Sequence, residues 1–219
     1  MKWRASPNFG PRRAGLTPSL IVIHYTAMQS AEAAIERLRD PKAEVSAHYL
    51  ISRDGQVTGM IQEQDRAWHA GAGQWRGLGD VNSRSIGIEL DNTGAHPFPE
   101  PQMAALERLL IGICDRWPIA PEDIIGHSDM APGRKIDPGP RFDWARLARQ
   151  GLAARTGHDQ GPQDPTPAAF RTLARDAGFT ADVDDATLLA AVRLRFRSHA
   201  TGPLQPEDFS PLGHTGLWT

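Results

Sequence analysis

Hydrophobic and polar positions follow two different periods along this chain. Residues 19–26, SLIVIHYT, form an unbroken, largely β-branched run, which predicts a strand buried on both faces. Residues 31–40, AEAAIERLRD, space their apolar positions as a helix does and stop before Pro41, which disfavours helical backbone in the residue ahead of it. Residues 46–61, SAHYLISRDGQVTGMI, are two strand-like runs around Asp54-Gly55, a hairpin signal. Residues 83–90, SRSIGIEL, predict another strand. Its side facing the core carries Ile86, Ile88 and Leu90, and its other side carries Ser85, Gly87 and Glu89. Residues 100–117 read as an amphipathic helix with Met103, Leu106, Leu110, Ile113 and Trp117 on one stripe. Residues 122–127 suggest a short strand. Residues 142–153 suggest a helix that Asp143 caps.

Strands and helices alternate, so the expected fold is α/β with a mixed central β-sheet flanked by helices. Residues 156–167, TGHDQGPQDPTP, break both periods and read as a linker. Beyond it lie two more amphipathic helical patterns, the second capped by Asp184 or Asp185. The expected organisation is a domain over 1–155, a linker over 156–167 and a small C-terminal helical module over 168–219. That last segment is too short to hold a large core alone.

Composition narrows the chemistry. The 24 Lys and Arg are scattered and matched by 26 Asp and Glu, for a net charge of −2, which gives no basic footprint for nucleic acid. The single cysteine, Cys114, excludes an intrachain disulfide and a cysteine-rich zinc site. The first twenty residues are basic and lack the apolar stretch of a signal peptide, and Leu20–Ile23 is too short to span a bilayer. The expectation is a soluble, cytoplasmic protein without a membrane span.

Chemistry concentrates in residues 126–144, GHSDMAPGRKIDPGPRFDW, a loop stiffened by proline and glycine. His127 and Asp137 are both good zinc ligands, and catalytic zinc sites use three protein ligands plus an open position. Pro138 restricts Asp137, so the loop holds that carboxylate in place. His24, near the end of a buried strand, is the candidate third ligand, because the rims of open sheets commonly carry sites. Taken alone, such a histidine is more often structural, and Asp137 reads equally as a turn residue. Lys135 stands two residues from Asp137, where it would face any oxyanion formed there. Glu89, over a small-residue floor, is a candidate general base. Residues 67–77, AWHAGAGQWRG, carry Trp68, His69 and Trp75 on a glycine-rich loop suited to stacking on sugars or peptides. Tyr25, Trp68, His69 and Asn82 are the substrate-contact candidates. His48 reads as structural, and His96, His158, His199 and His214 carry no assignment.

The segments IVIHYTA, SAHYLISRDG, RAWHAG, NSRSIGIEL and GHSDMAPGRKIDPGPRFDW occur in this order in zinc N-acetylmuramoyl-L-alanine amidases. The chain resembles the AmpD-like and AmiD-like members of that family, relatives of phage lysozyme-type amidases and peptidoglycan recognition proteins. The resemblance implies one zinc ion on His24, His127 and Asp137, Glu89 as the base and Lys135 as the helper for the tetrahedral intermediate. It implies hydrolysis of the bond between the muramic acid lactyl group and L-alanine in peptidoglycan fragments, muropeptides that include the 1,6-anhydro form, during cell-wall recycling or turnover. Ala47 departs from phage-type relatives that carry a catalytic tyrosine there, which puts more weight on Glu89. The helical tail loosely resembles the peptidoglycan-binding-like module of AmiD-type enzymes. Two other readings are a peptidoglycan-binding module without catalysis and a zinc peptidase. Retention of all five positions weighs against the first, and the lack of a His-Glu-x-x-His motif against the second.

Overall fold

A computed structural model describes residues 1–155, 157 and 161–213. Part of the expected linker, residues 156 and 158–160, lies outside the described residues, as do His158 and His214.

The centre is a six-stranded mixed sheet built from β1 (Lys2–Trp3), β3 (Leu20–Tyr25), β4 (Tyr49–Ile51), β5 (Val57–Gly59), β7 (Ser85–Leu90) and β8 (Ile124–Gly126). The spatial order is β1-β5-β4-β7-β3-β8, and only the β4–β5 pair is antiparallel. That pair is the expected hairpin, turning through Gly55 at φ +84°. A two-stranded sheet joins β2 (Phe9–Pro11) to β6 (Asp65–Ala67). These strands and β1, with sequences FGP, DRA and KW, carry no apolar run or alternation and leave no trace in the sequence.

β3 pairs with β7 on one side and β8 on the other, so both of its edges lie within the sheet. Ile21 and Ile23, with Ile86, Ile88 and Leu90, pack on α3 (Glu100–Arg116) through Leu106, Leu110 and Ile113, all wholly buried. Truncating one of these, such as Leu110→Ala, costs about 2–5 kcal/mol in such a core. α1 (Ala31–Arg39) is capped by Ser30, whose side chain accepts from the Ala33 N–H, and it packs through Ile35 and Leu38. The strand expected over 83–90 begins two residues later, because Val81–Arg84 form a short helix, α2.

The opposite face of β3 carries Leu20 and Val22, which join Ile125, Trp75, Phe170, Phe179, Leu188 and Val192 in a second apolar cluster. The last four come from the C-terminal segment, in and around α6 (Pro167–Asp176) and α7 (Asp185–Phe196). That segment therefore completes the core of the sheet. Asp184 caps α7, accepting from the Thr187 N–H. Trp75, expected at a groove, is buried instead, with its ring 5.2 Å from that of Phe179. Arg76 and Gly77 N–H groups hydrogen-bond Gly178 O and Thr180 Oγ1, pinning the glycine-rich loop to the tail.

Among the described residues, no helix is long and apolar enough to cross a membrane.

Candidate metal centre

The site forms where β3 and β7 end. Their register sets His24 beside Glu89, and neighbours in a ladder project to the same face. The 126–144 loop enters through β8, makes a one-turn helix, α4 (His127–Met130), and folds back so that the Asp137 carbonyl accepts from the Ser128 N–H. This return brings two residues ten positions apart together. His24, His127 and Asp137 each offer a ligand atom, all within 4.8 Å of one another, and all three residues are buried. Nδ1 of His24 lies 2.9 Å from Oδ2 of Asp137, and Nδ1 of His127 lies 3.1 Å from the same oxygen.

The donor chemistry fits a divalent cation. His127 Nε2 stands 2.9 Å from the carbonyl oxygen of Ala70, which can only accept, so the ring carries its proton there. Its Nδ1 is then bare and faces a carboxylate oxygen. Electron-rich atoms at that spacing repel unless a cation lies among them, and two imidazoles with one carboxylate are a typical zinc donor set. Burial, and then the neighbouring His127, push His24 down to about 4, which keeps it neutral as a ligand must be.

Glu89 is partly exposed as a residue, yet its Oε2 is buried without a hydrogen-bond partner. Burial and the nearby Asp137 raise its carboxyl to about 8, with Lys135 pulling the other way. A carboxyl poised near neutrality and left unpaired is suited to moving protons. Lys135 is exposed and makes no ion pair among the described residues, so its ammonium is available to a reacting oxygen.

The substrate-contact candidates divide. Tyr25 and Trp68 are partly exposed, and the Tyr25 ring lies against Gly94 and Gly139. Asn82 is buried, and its Oδ1 accepts from the N–H groups of His69 and Ala70, so it braces a loop. His69 also turns inward. Its Nδ1 is 3.0 Å from His24 Nε2, and its ring covers Gly87, where a Cβ would lie 2.4 Å from ring carbon. The small-residue floor expected beneath a cleft is therefore filled by an imidazole. Burial, and then the adjacent His24, push His69 well down. His48 is structural as expected, its Nδ1 accepting from the Gly87 N–H. Ala47 is wholly buried.

Two features escaped sequence reasoning. Arg134 donates to the carbonyls of Ala70 and Ala72, tying the metal loop to the 67–77 loop. Arg195 of α7 is buried, ion-pairs with Asp129 at 3.1 Å and lies 3.4 Å over the Trp144 ring. Asp129 in turn accepts from the Gly126 N–H, just ahead of His127. Both arginines sit in segments where a charged residue reads as solvated.

Residues 14–140 match the family described as N-acetylmuramoyl-L-alanine amidase. N-acetylmuramoyl-L-alanine amidase AmiD of Escherichia coli (strain K12) is 40% identical over 151 residues, 62% of this chain. The match spans about half, 54%, of that relative's length. 1,6-anhydro-N-acetylmuramyl-L-alanine amidase AmpD of the same strain is 37% identical over 159 residues, covering 65% of this chain and 87% of its own. Among solved structures, that of E. coli AmiD with the substrate anhydro-N-acetylmuramic acid-L-Ala-D-gamma-Glu-L-Lys superposes with a TM-score of 0.82 at 30% identity. It covers 92% of this chain and 90% of that one.

Proposed function

The chain belongs to the N-acetylmuramoyl-L-alanine amidase family, and from that premise we propose that it hydrolyses the amide between the muramic acid lactyl group and L-alanine in peptidoglycan fragments. The observation that carries the reading is the convergence of His24, His127 and Asp137 beside the unpaired carboxyl of Glu89. His24 and His127 through Nδ1, and Asp137 through Oδ2, would hold one zinc ion. Zinc so held supplies Lewis acidity to a water and to the amide carbonyl.

The remaining work falls to the chain's own groups. Glu89 takes a proton from the attacking water and delivers it to the alanine nitrogen as the carbon–nitrogen bond breaks. Lys135 presents an ammonium to the oxyanion, a contribution of roughly 3–4 kcal/mol for a well-placed donor. The products are a muramic acid carboxylate and a peptide beginning with L-alanine. Tyr25 and Trp68, at the open side, are the remaining substrate contacts. The substrate fragment bound to AmiD is of this chemical class, which supports a 1,6-anhydro-muropeptide as the first substrate to test. A role in cell-wall recycling or turnover follows from that substrate. A cytoplasmic location would suit such a role.

The test is mass spectrometry of products from anhydro-muramyl tripeptide incubated with purified protein, with and without a chelator. Free tripeptide that no longer forms on chelation is the expected result. Intact substrate in a zinc-loaded sample would overturn the reading in favour of a binding module. Asp137→Ala should lose both zinc and turnover, and an active, zinc-loaded variant would remove Asp137 from the ligand set.

A further inference from the structure

We propose that His69 is a positioning residue that fixes which nitrogen of His24 is free to bind metal, through a proton relay anchored on the backbone carbonyl of Val81. The inference rests on the zinc reading above, but the relay follows from hydrogen-bond direction alone. The Val81 carbonyl has no proton to give, so the Ser85 hydroxyl, 2.6 Å away, must donate to it. Ser85 Oγ therefore accepts on its other side, from His69 Nε2 at 3.1 Å. With the ring proton at Nε2, Nδ1 of His69 is bare and accepts from His24 Nε2 at 3.0 Å. His24 then carries its single ring proton at Nε2 and turns an unprotonated Nδ1 toward Asp137.

Every participant is held. Ser85 is wholly buried in β7. Two N–H bonds to Asn82 Oδ1 fix the backbone at His69 and Ala70. Gly87 leaves the space that the His69 ring fills, because any Cβ there would collide with it.

The two histidines of the metal group thus solve one problem differently. His127 reaches a loop carbonyl outside the sheet, that of Ala70, directly. His24 lies on β3, paired with Glu89 of β7, where backbone carbonyls belong to the sheet ladder. A side chain has to bring an acceptor to it, and His69 passes the constraint along from Val81. Partners of this kind orient metal-binding imidazoles, and their loss typically lowers metal affinity about 10–100-fold.

The experiment compares His69→Gln and His69→Leu by zinc competition against a chromophoric chelator, alongside histidine nitrogen NMR of the metal-free parent. Glutamine offers an acceptor oxygen to His24 and an amide donor to Ser85, whereas leucine fills the space without either. The expected result is zinc affinity close to the parent for His69→Gln and about 10–100-fold weaker for His69→Leu. The parent should show His24 protonated at Nε2. Equal affinity in His69→Leu and parent, or a His24 proton at Nδ1, would overturn the relay. If the parent takes up no zinc, the NMR result still decides: a proton at Nε2 supports the relay although the zinc reading has failed. Should His69→Leu not fold, Ser85→Ala replaces it. There His24 is expected as a mixture of both tautomers, and an unchanged pure Nε2 form counts against the proposal.

Discussion

Two buried carboxylates in this fold live under opposite arrangements. Asp208, in the C-terminal segment, accepts from Arg193 Nε and Nη2 at 2.9 and 2.6 Å, from Arg197, and from the Gln205 N–H at 2.9 Å. Glu89, at the end of β7, has a buried Oε2 with no partner at all. Burial alone would raise both carboxyls. At Asp208 the hydrogen bonds from Arg193, Gln205 and Arg197 win and its carboxyl is lowered. At Glu89 nothing opposes burial but the distant charge of Lys135, and it rises to about 8. A saturated carboxylate holds structure together, whereas an unsaturated one is held ready at a cost to stability.

The sharpest way to break this comparison is to neutralise each carboxylate. Glu89→Gln keeps the shape and removes the charge, so steady-state assays should show turnover falling about 10²–10⁴-fold with zinc content unchanged. A near-normal rate would strip Glu89 of its role. Asp208→Ala leaves Arg193 buried without its partner and should cost about 3–5 kcal/mol by denaturant unfolding. Its zinc content and chemistry should persist wherever the chain remains folded.

A pH titration of metal-free protein sharpens the contrast with a sign. The folded chain binds a proton at Glu89 more tightly than the unfolded chain, whose glutamate titrates near 4.5. Stability from this group is therefore full below 4.5 and falls as pH rises toward about 8. Melting temperatures of Glu89→Gln and parent should coincide below about 4.5 and diverge progressively as pH rises to about 8, with the variant the more stable. Asp208 works in the other direction, contributing at neutral pH and losing that contribution as acid protonates it. The smallest effect belongs to an exposed carboxylate with one partner. Asp143 accepts from the Arg146 N–H to cap α5 (Trp144–Arg149), and Asp143→Ala should cost about 1 kcal/mol in thermal unfolding.

The sheet and α3 were legible because buried strands and one-sided helices leave a periodic trace. His127 and Asp137 were legible because a stiff loop rich in titratable groups has few other uses, and His24 because it stands near the end of a buried strand. His69 and Trp75 were read as groove residues because in a glycine-rich loop no period shows which side chains point inward; Asn82 lies outside that loop, in the one-turn helix α2, too short to show a face. Arg193 and Arg195 were invisible in a different way. Their burial depends on Asp208 and Asp129, 15 and 66 residues away, and spacing along one helix cannot report such partners.

The docking of the C-terminal segment matters to anyone who would engineer this protein. Cutting after residue 155 looks like a clean excision at a linker. It would strip Phe179 from Trp75, open the Leu20 and Val22 face to water, and leave Asp129 without Arg195 beneath the loop that carries His127. A minimal enzyme made this way needs a redesigned surface: polar residues in place of the exposed apolar ones, and a neutral partner for Gly126 where Asp129 stood. Without them the shortened chain is a candidate for inclusion bodies.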